Sequence, residues 1–198
     1  MTTIIHTLYE FEEQVRQVLL QSHSEKEIVN KIQPYFQSLL ETQGLIPTSY
    51  KQPNVDKYRQ FLLYKPKDEA FSIVSFVWGP GQTAPIHDHL VWGLVGIYEG
   101  SIEETRYRKI YDATEESDYN LEIVDTVIAE KNDISFVYPP NADIHSVRNP
   151  FKDLAITIHI YGTDIGKQER HRYDNETYAI NPIITTHENE TAIYPSHT

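Results

Sequence analysis

The sequence predicts a mostly β protein, a sandwich or barrel of short strands with α-helices at its N-terminus. Three observations predict it. From about residue 58, short runs rich in Val, Ile, Phe and Tyr recur between Gly, Pro, Asn and Asp punctuation. Before residue 50 the apolar residues recur instead at helical spacing. The chain, 198 residues with no cysteine, is long enough to bury one core and must do so without disulfides.

Residues 8–42 read as helical, with Leu8, Phe11, Val15, Val18 and Leu19 on one face. Ser24, followed three residues later by Glu27, is a capping box that opens a second helix, whose apolar side is Ile28, Ile32, Tyr35, Phe36, Leu39 and Leu40. Pro34 lacks an N–H and is expected to kink or divide that helix. Gly44 and Pro47 close the segment. Strands are expected over residues 58–64, 71–78, 91–98, 102–108, 121–128, 134–138, 143–148 and 154–161. Residues 112–119 read as an acidic hairpin loop, and the chain after Gly166 as polar and irregular. The organisation expected is a single unit: a helical segment over 1–50, a barrel core over 58–172 and a loosely held polar tail over 187–198.

Charge and composition narrow the function. Asp and Glu total 29 against 17 Lys and Arg, a net charge of -12, which argues against a nucleic-acid partner. No apolar run approaches the roughly 20 residues of a membrane span, and no export pattern opens the chain, so the expected setting is cytoplasmic without a membrane partner. Without cysteine, any metal must be held by His and carboxylates.

Nine histidines are present. His6, His23, His187 and His197 lie in polar stretches expected to be exposed and are set aside. His87-Asp88-His89 is different: on a strand, His-x-His puts both imidazoles on one face. It follows Gly81 by five intervening residues and precedes Gly100 by eleven positions, and Pro140, His145 and Asn149 form a second cluster downstream. This two-part spacing resembles the cupins, and the resemblance implies a jelly-roll-like β-barrel with the N-terminal helices packed on it and a metal held by His87, His89 and His145. Cupins often add a Glu four residues after the second His. Here that position is Gly93, and Ala142 replaces the usual Gly of the second motif. The first shell is then three neutral imidazoles, which suits an iron(II) that captures an anionic soft ligand and O2.

In 154–161, Ile156, Ile158 and Ile160 fall on one face of a strand, and Thr157, His159 and Tyr161 on the other. A hydroxyl, an imidazole and a phenol in register can hold or pass a proton beside a reacting centre. Here the sequence resembles the thiol dioxygenases, the cysteine dioxygenase branch of the cupins. The match covers residues 58–172 well and the N-terminal helices loosely. It implies one Fe(II) per chain and a Ser-x-His-x-Tyr triad matched by Thr157, His159 and Tyr161. Animal cysteine dioxygenases cross-link a Cys to the active-site Tyr, but Gly93 stands at that position. They bind the substrate carboxylate with an Arg on an early strand, where this sequence has Gln60, or Arg59 after a one-residue slip. Bacterial 3-mercaptopropionate dioxygenases are more similar: Gln at that position, Gly for Cys, and an Arg nine residues after the triad Tyr, matched by Arg170. A planar guanidinium suits a carboxylate because it donates two parallel hydrogen bonds.

The resemblance therefore implies oxidation of 3-mercaptopropionate to its sulfinate, with a small thiol carboxylate and O2 as partners, and Arg170 and Gln60 at the substrate. L-Cysteine is the alternative substrate. A non-catalytic metal-binding cupin and a zinc or manganese cupin isomerase are the rival classes; the barrel hosts many chemistries. Oligomeric state stays open.

Overall fold

The structure, a computed structural model, describes residues 2–110, 120–177 and 179–197. Two helices, α1 (Thr2–Gln21) and α2 (Glu25–Leu40), precede eleven strands: β1 (Arg59–Tyr64), β2 (Ser72–Trp78), β3 (Thr83–His87), β4 (Gly93–Glu99), β5 (Ser101–Ile110), β6 (Asn120–Glu130), β7 (Ile134–Val137), β8 (Ile144–Arg148), β9 (Ala155–Tyr161), β10 (Arg170–Tyr173) and β11 (Ile180–Ile183). They form two antiparallel sheets, β1-β2-β9-β4-β7 and β11-β10-β3-β8-β5-β6, a cupin-like jelly roll.

The five-stranded sheet is covered on both faces. Ile156, Ile158 and Ile160 of β9 join Val15, Ile32, Phe36 and Leu40 of the helices in one core. Leu62, Val74, Ile97 and Tyr161 point the other way and meet Ile102 and Val147 of the second sheet. The alternation in β9 thus aims its isoleucines at the helices and its polar side chains between the sheets. An added Cβ on Gly96 would lie 2.5 Å from Leu40 Cδ1, so a glycine lets α2 lie directly on β4.

Several expectations are corrected. Helix α1 begins at Thr2 and not at residue 8. The capping box forms, with Ser24 Oγ accepting from the Glu27 N–H and Glu27 reaching back to the His23 N–H. Pro34 does not divide α2. It faces solvent between buried Ile32 and Phe36, so the missing bond falls where water can serve the Asn30 carbonyl. Strands continue past residue 172 to Ile183, where an irregular run was expected.

The C-terminal segment is not a free tail: Glu188, Ile193 and Tyr194 donate backbone bonds to Gln60, Leu62 and Leu63 of β1, and Tyr194 is buried. The Asn189 side chain also bonds the Leu62 backbone in both directions, so the segment covers the edge of the sheet, a role that its polar composition conceals. The expected acidic loop at 112–119 lies outside the described residues; β5 and β6 on either side of it pair from Ser101–Glu130 to Ile110–Asn120.

Candidate metal centre and its cavity

His87, His89 and His145 converge. Their ring centroids are 4.8 Å apart in all three pairs, and one nitrogen of each lies within 4.8 Å of the others. His87 and His145 face each other across the β3–β8 pairing. Buried Asn149 joins the two motif halves. Its Nδ2 donates to the Trp78 carbonyl at 3.1 Å, and its own carbonyl accepts from Gly81 N at 2.8 Å.

His89 arrives by a different route from the one expected. Strand β3 ends at His87, and His89 sits in the turn that follows, so the two imidazoles do not share a strand face. The turn is held by the Asp143 carboxylate, which accepts from the His89 N–H at 3.1 Å and the Leu90 N–H at 3.0 Å, and Leu90 takes a positive φ of 59°.

Every ring is oriented through Nδ1. His87 donates to the Pro85 carbonyl at 2.8 Å, His89 to the Asp143 carbonyl at 3.1 Å, and His145 to Glu104 Oε1 at 2.7 Å. The Nε2 lone pairs are therefore left facing one another. His89 Nε2 is buried with no partner, an unmet polar atom of the kind a metal would satisfy. Burial, with the neighbouring imidazoles and the Arg170 charge, pushes His87 and His89 well below the ordinary histidine range. They are neutral, as metal ligands must be. Three neutral nitrogen donors with no added carboxylate fit an iron(II), and among the described residues no carboxylate joins the cluster.

Glu104 was missed at the sequence level. Burial pushes its carboxyl up, but the bond from His145 holds it below the ordinary range. A signal existed: Glu104 is in phase with buried Ile102 on β5, a carboxylate on the apolar face of a strand.

Beside the centre, Thr157, His159 and Tyr161 line up on the inner face of β9. Trp78 Nε1 donates to Thr157 Oγ1 at 3.0 Å, Thr157 Oγ1 lies 2.8 Å from His159 Nε2, and His159 Nδ1 lies 2.7 Å from the Tyr161 hydroxyl. The indole N–H can only donate, so Thr157 accepts from it, and a threonine that passes its own proton to His159 Nε2 makes a chain from indole to threonine to imidazole to phenol. The phenol proton is then free to turn into the cavity. Burial keeps His159 neutral and raises Tyr161, so both hold these forms near neutrality. The Tyr161 ring stacks on His89 at 5.3 Å and 18°.

His87, His145, His159 and Tyr161 border a cavity of about 220 Å³, with Tyr58, Phe76 and Trp78 as its aromatic wall. Both proposed substrate residues line it. Gln60 is buried, whereas Arg59 points out to an ion pair with Glu188 at 2.7 Å, which settles the register of that pair of residues. Arg170 is 5% exposed and has no carboxylate partner among the described residues. Its Nη2 donates to Thr185 Oγ1 at 3.2 Å, and its Nε is unpartnered. A buried, unpaired guanidinium is costly unless an anion joins it. His187, set aside as exposed, is instead packed behind Gln60, with Nδ1 2.9 Å from the Gln60 amide nitrogen. His6, His23 and His197 are exposed as expected.

Residues 2–176 match the family model described as cysteine dioxygenase type I. Solved structures similar to this chain include a cupin superfamily protein from Desulfitobacterium hafniense (14% identity, 59% of this chain and 87% of that one, TM-score 0.41). Others are a protein with a double-stranded β-helix domain from Klebsiella pneumoniae (15%, 61% and 90%, TM-score 0.43) and a cupin protein from Desulfovibrio desulfuricans (20%, 56% and 88%, TM-score 0.38).

Proposed function

The chain belongs to the cysteine dioxygenase type I family, and from that membership we propose that it is a thiol dioxygenase that converts 3-mercaptopropionate to 3-sulfinopropionate at one iron(II) held by His87, His89 and His145. The observation that carries this reading is the buried trio of imidazoles, each fixed through Nδ1, next to a buried guanidinium that no carboxylate among the described residues pairs. His87, His89 and His145 would hold the iron(II), which would supply Lewis acidity toward a thiolate and redox chemistry toward O2. The overall change is balanced: both oxygen atoms are added to sulfur, which gives up four electrons, and no outside reductant is needed.

The chain's own residues do the rest. Arg170 binds the carboxylate, with its guanidinium steadied by Thr185. Tyr161, its oxygen held by His159, offers a phenol proton to the reacting groups. The wall of Tyr58, Phe76 and Trp78 keeps out bulk water, which strengthens each of these interactions.

Charge supports a dianionic substrate. Arg170 and Arg172 both border the cavity, and no Asp or Glu among the described residues lines it to balance an ammonium. L-Cysteine is the second reading, favoured by Gln60 Oε1, a buried acceptor without a partner that an ammonium would satisfy. Iron-loaded protein should consume O2 with 3-mercaptopropionate in a ratio near one to one and give the sulfinate. Failure to take up O2 with 3-mercaptopropionate, cysteine and cysteamine alike would reject the enzyme class.

A further inference from the structure

Gln60 reaches the cavity with its amide already committed. Its Nε2 lies 3.2 Å from the Thr185 carbonyl, which can only accept, and 2.9 Å from His187 Nδ1. Both amide hydrogens therefore point at the C-terminal segment, and Oε1 is the atom left buried without a partner. Behind the imidazole, Asp164 Oδ1 lies 2.9 Å from His187 Nε2. Burial would push the Asp164 carboxyl up, but the bonds from His187 and Lys65 hold it well below the ordinary range. A carboxylate accepts, so His187 carries its proton on Nε2 and turns a bare Nδ1 to Gln60. Room for the ring is kept by Gly166, where an added Cβ would lie 2.4 Å from His187 Nε2. Thr185 and His187 both lie beyond the residues that match the family model.

We propose that Asp164 and His187 are positioning residues that lock the Gln60 carbonyl oxygen toward the ligand, and so set how the site ranks thiol carboxylates with and without a hydrogen-bond donor beside the carboxylate. This rests on the reading that the cavity takes a thiol carboxylate. Neither residue touches substrate or the reacting atoms. With the lock in place, the ammonium of cysteine finds an acceptor, while 3-mercaptopropionate, which has no donor, leaves Oε1 unmet. Releasing the lock turns the NH2 toward the cavity, which opposes an ammonium and suits a carboxylate.

Asp164→Asn tests this. An Asn amide that donates to His187 Nε2 moves the ring proton to Nδ1 and drives the Gln60 amide over. The ratio of kcat/KM for cysteine to that for 3-mercaptopropionate should then fall about tenfold or more, the worth of one hydrogen bond to a charged group, while KM for 3-mercaptopropionate does not rise. His187→Phe, which removes the acceptor and keeps ring volume, should move the ratio the same way. Equal losses on both thiols in both variants would reduce the pair to scaffold and overturn the proposal. A second readout is independent of turnover: 15N resonances of His187 in the unmodified protein should report the Nε2–H tautomer, and the Nδ1–H tautomer overturns the lock. If the unmodified protein oxidises neither thiol, the functional reading falls. The lock then stands or falls on that tautomer and on whether the Gln60 side-chain amide hydrogens exchange more slowly than in Asp164→Asn.

Discussion

Glu104 Oε1 sits 2.7 Å behind His145 Nδ1, a carboxylate from β5 bracing an imidazole from β8 at a point where both side chains are almost wholly buried. The pair fixes the ring's tautomer and makes its far nitrogen a stronger donor. His87 leans on a backbone carbonyl, and His89 on another with the Asp143 carboxylate 3.4 Å from its Nδ1, so His145 is the ligand candidate with the shortest bond to a charged group. Glu104→Gln should lower metal affinity about 10- to 100-fold with the fold retained, as read by competition with a chelating dye. Unchanged affinity would show that the carboxylate serves packing alone.

Gly93 lies against the ring it would otherwise displace. A Cβ there would meet Tyr161 Cδ1 at 2.7 Å and the Ile160 carbonyl at 3.0 Å, and neither can yield easily inside a paired strand. Gly93→Ala should cost about 1–3 kcal/mol of stability, the usual penalty of overpacking, as read by urea unfolding. It should also lower kcat more than it raises KM, since the phenol moves off His89 while Arg170 stays in place. A neutral substitution would mean that Tyr161 has freedom that its stacking denies.

Stability should depend on pH through the buried imidazoles. Burial holds His87, His89 and His159 well below the ordinary value of about 6.5 that they regain on unfolding. Below that value the unfolded chain binds protons that the folded one excludes, so metal-free protein loses stability as pH falls. Each group contributes up to about 1.4 kcal/mol per pH unit. The carboxyls of Asp164 and Glu104 are held low, so their contribution is lost only further down, as pH passes below about 4. Calorimetry of the metal-free protein should show proton uptake on unfolding at pH 5.5, and a melting temperature that is flat from pH 7.5 to 5.5 would contradict the buried neutral imidazoles.

What the sequence made legible was whatever a short period encodes. Thr157, His159 and Tyr161 could be placed on one face because a strand alternates every two residues, and the isoleucines between them marked the opposite face as core. His89 was named correctly as part of the cluster but for the wrong reason. Its position comes from a turn held by Asp143, 54 residues away, and no local pattern reports such a contact. His187 was lost for the same cause: it meets Gln60 across 127 residues, in a stretch whose polar composition disguises a backbone bonded to β1. Strands β10 and β11 were hidden because short strands with polar and charged positions, such as Arg170 and Arg172, lack the apolar alternation by which a strand is recognised.

Arg170 carries the last prediction. It enters the cavity from β10 with an unpartnered Nε, and its charge reaches His87, His89, His159 and Tyr161. A carboxylate bound there removes the cost of an isolated buried cation, so truncation should be felt mainly in binding. Arg170→Ala should raise KM for 3-mercaptopropionate steeply, by about 2–5 kcal/mol of lost interaction. Arg170→Lys should recover little, because a point charge cannot reproduce the two-pronged contact. Arg59→Ala is the control: that side chain faces away, paired with Glu188, and its loss should leave KM unchanged. Steady-state kinetics on the three variants decide the matter, and the reverse pattern, with Arg59 sensitive and Arg170 silent, would move the carboxylate anchor to the outer edge of β1.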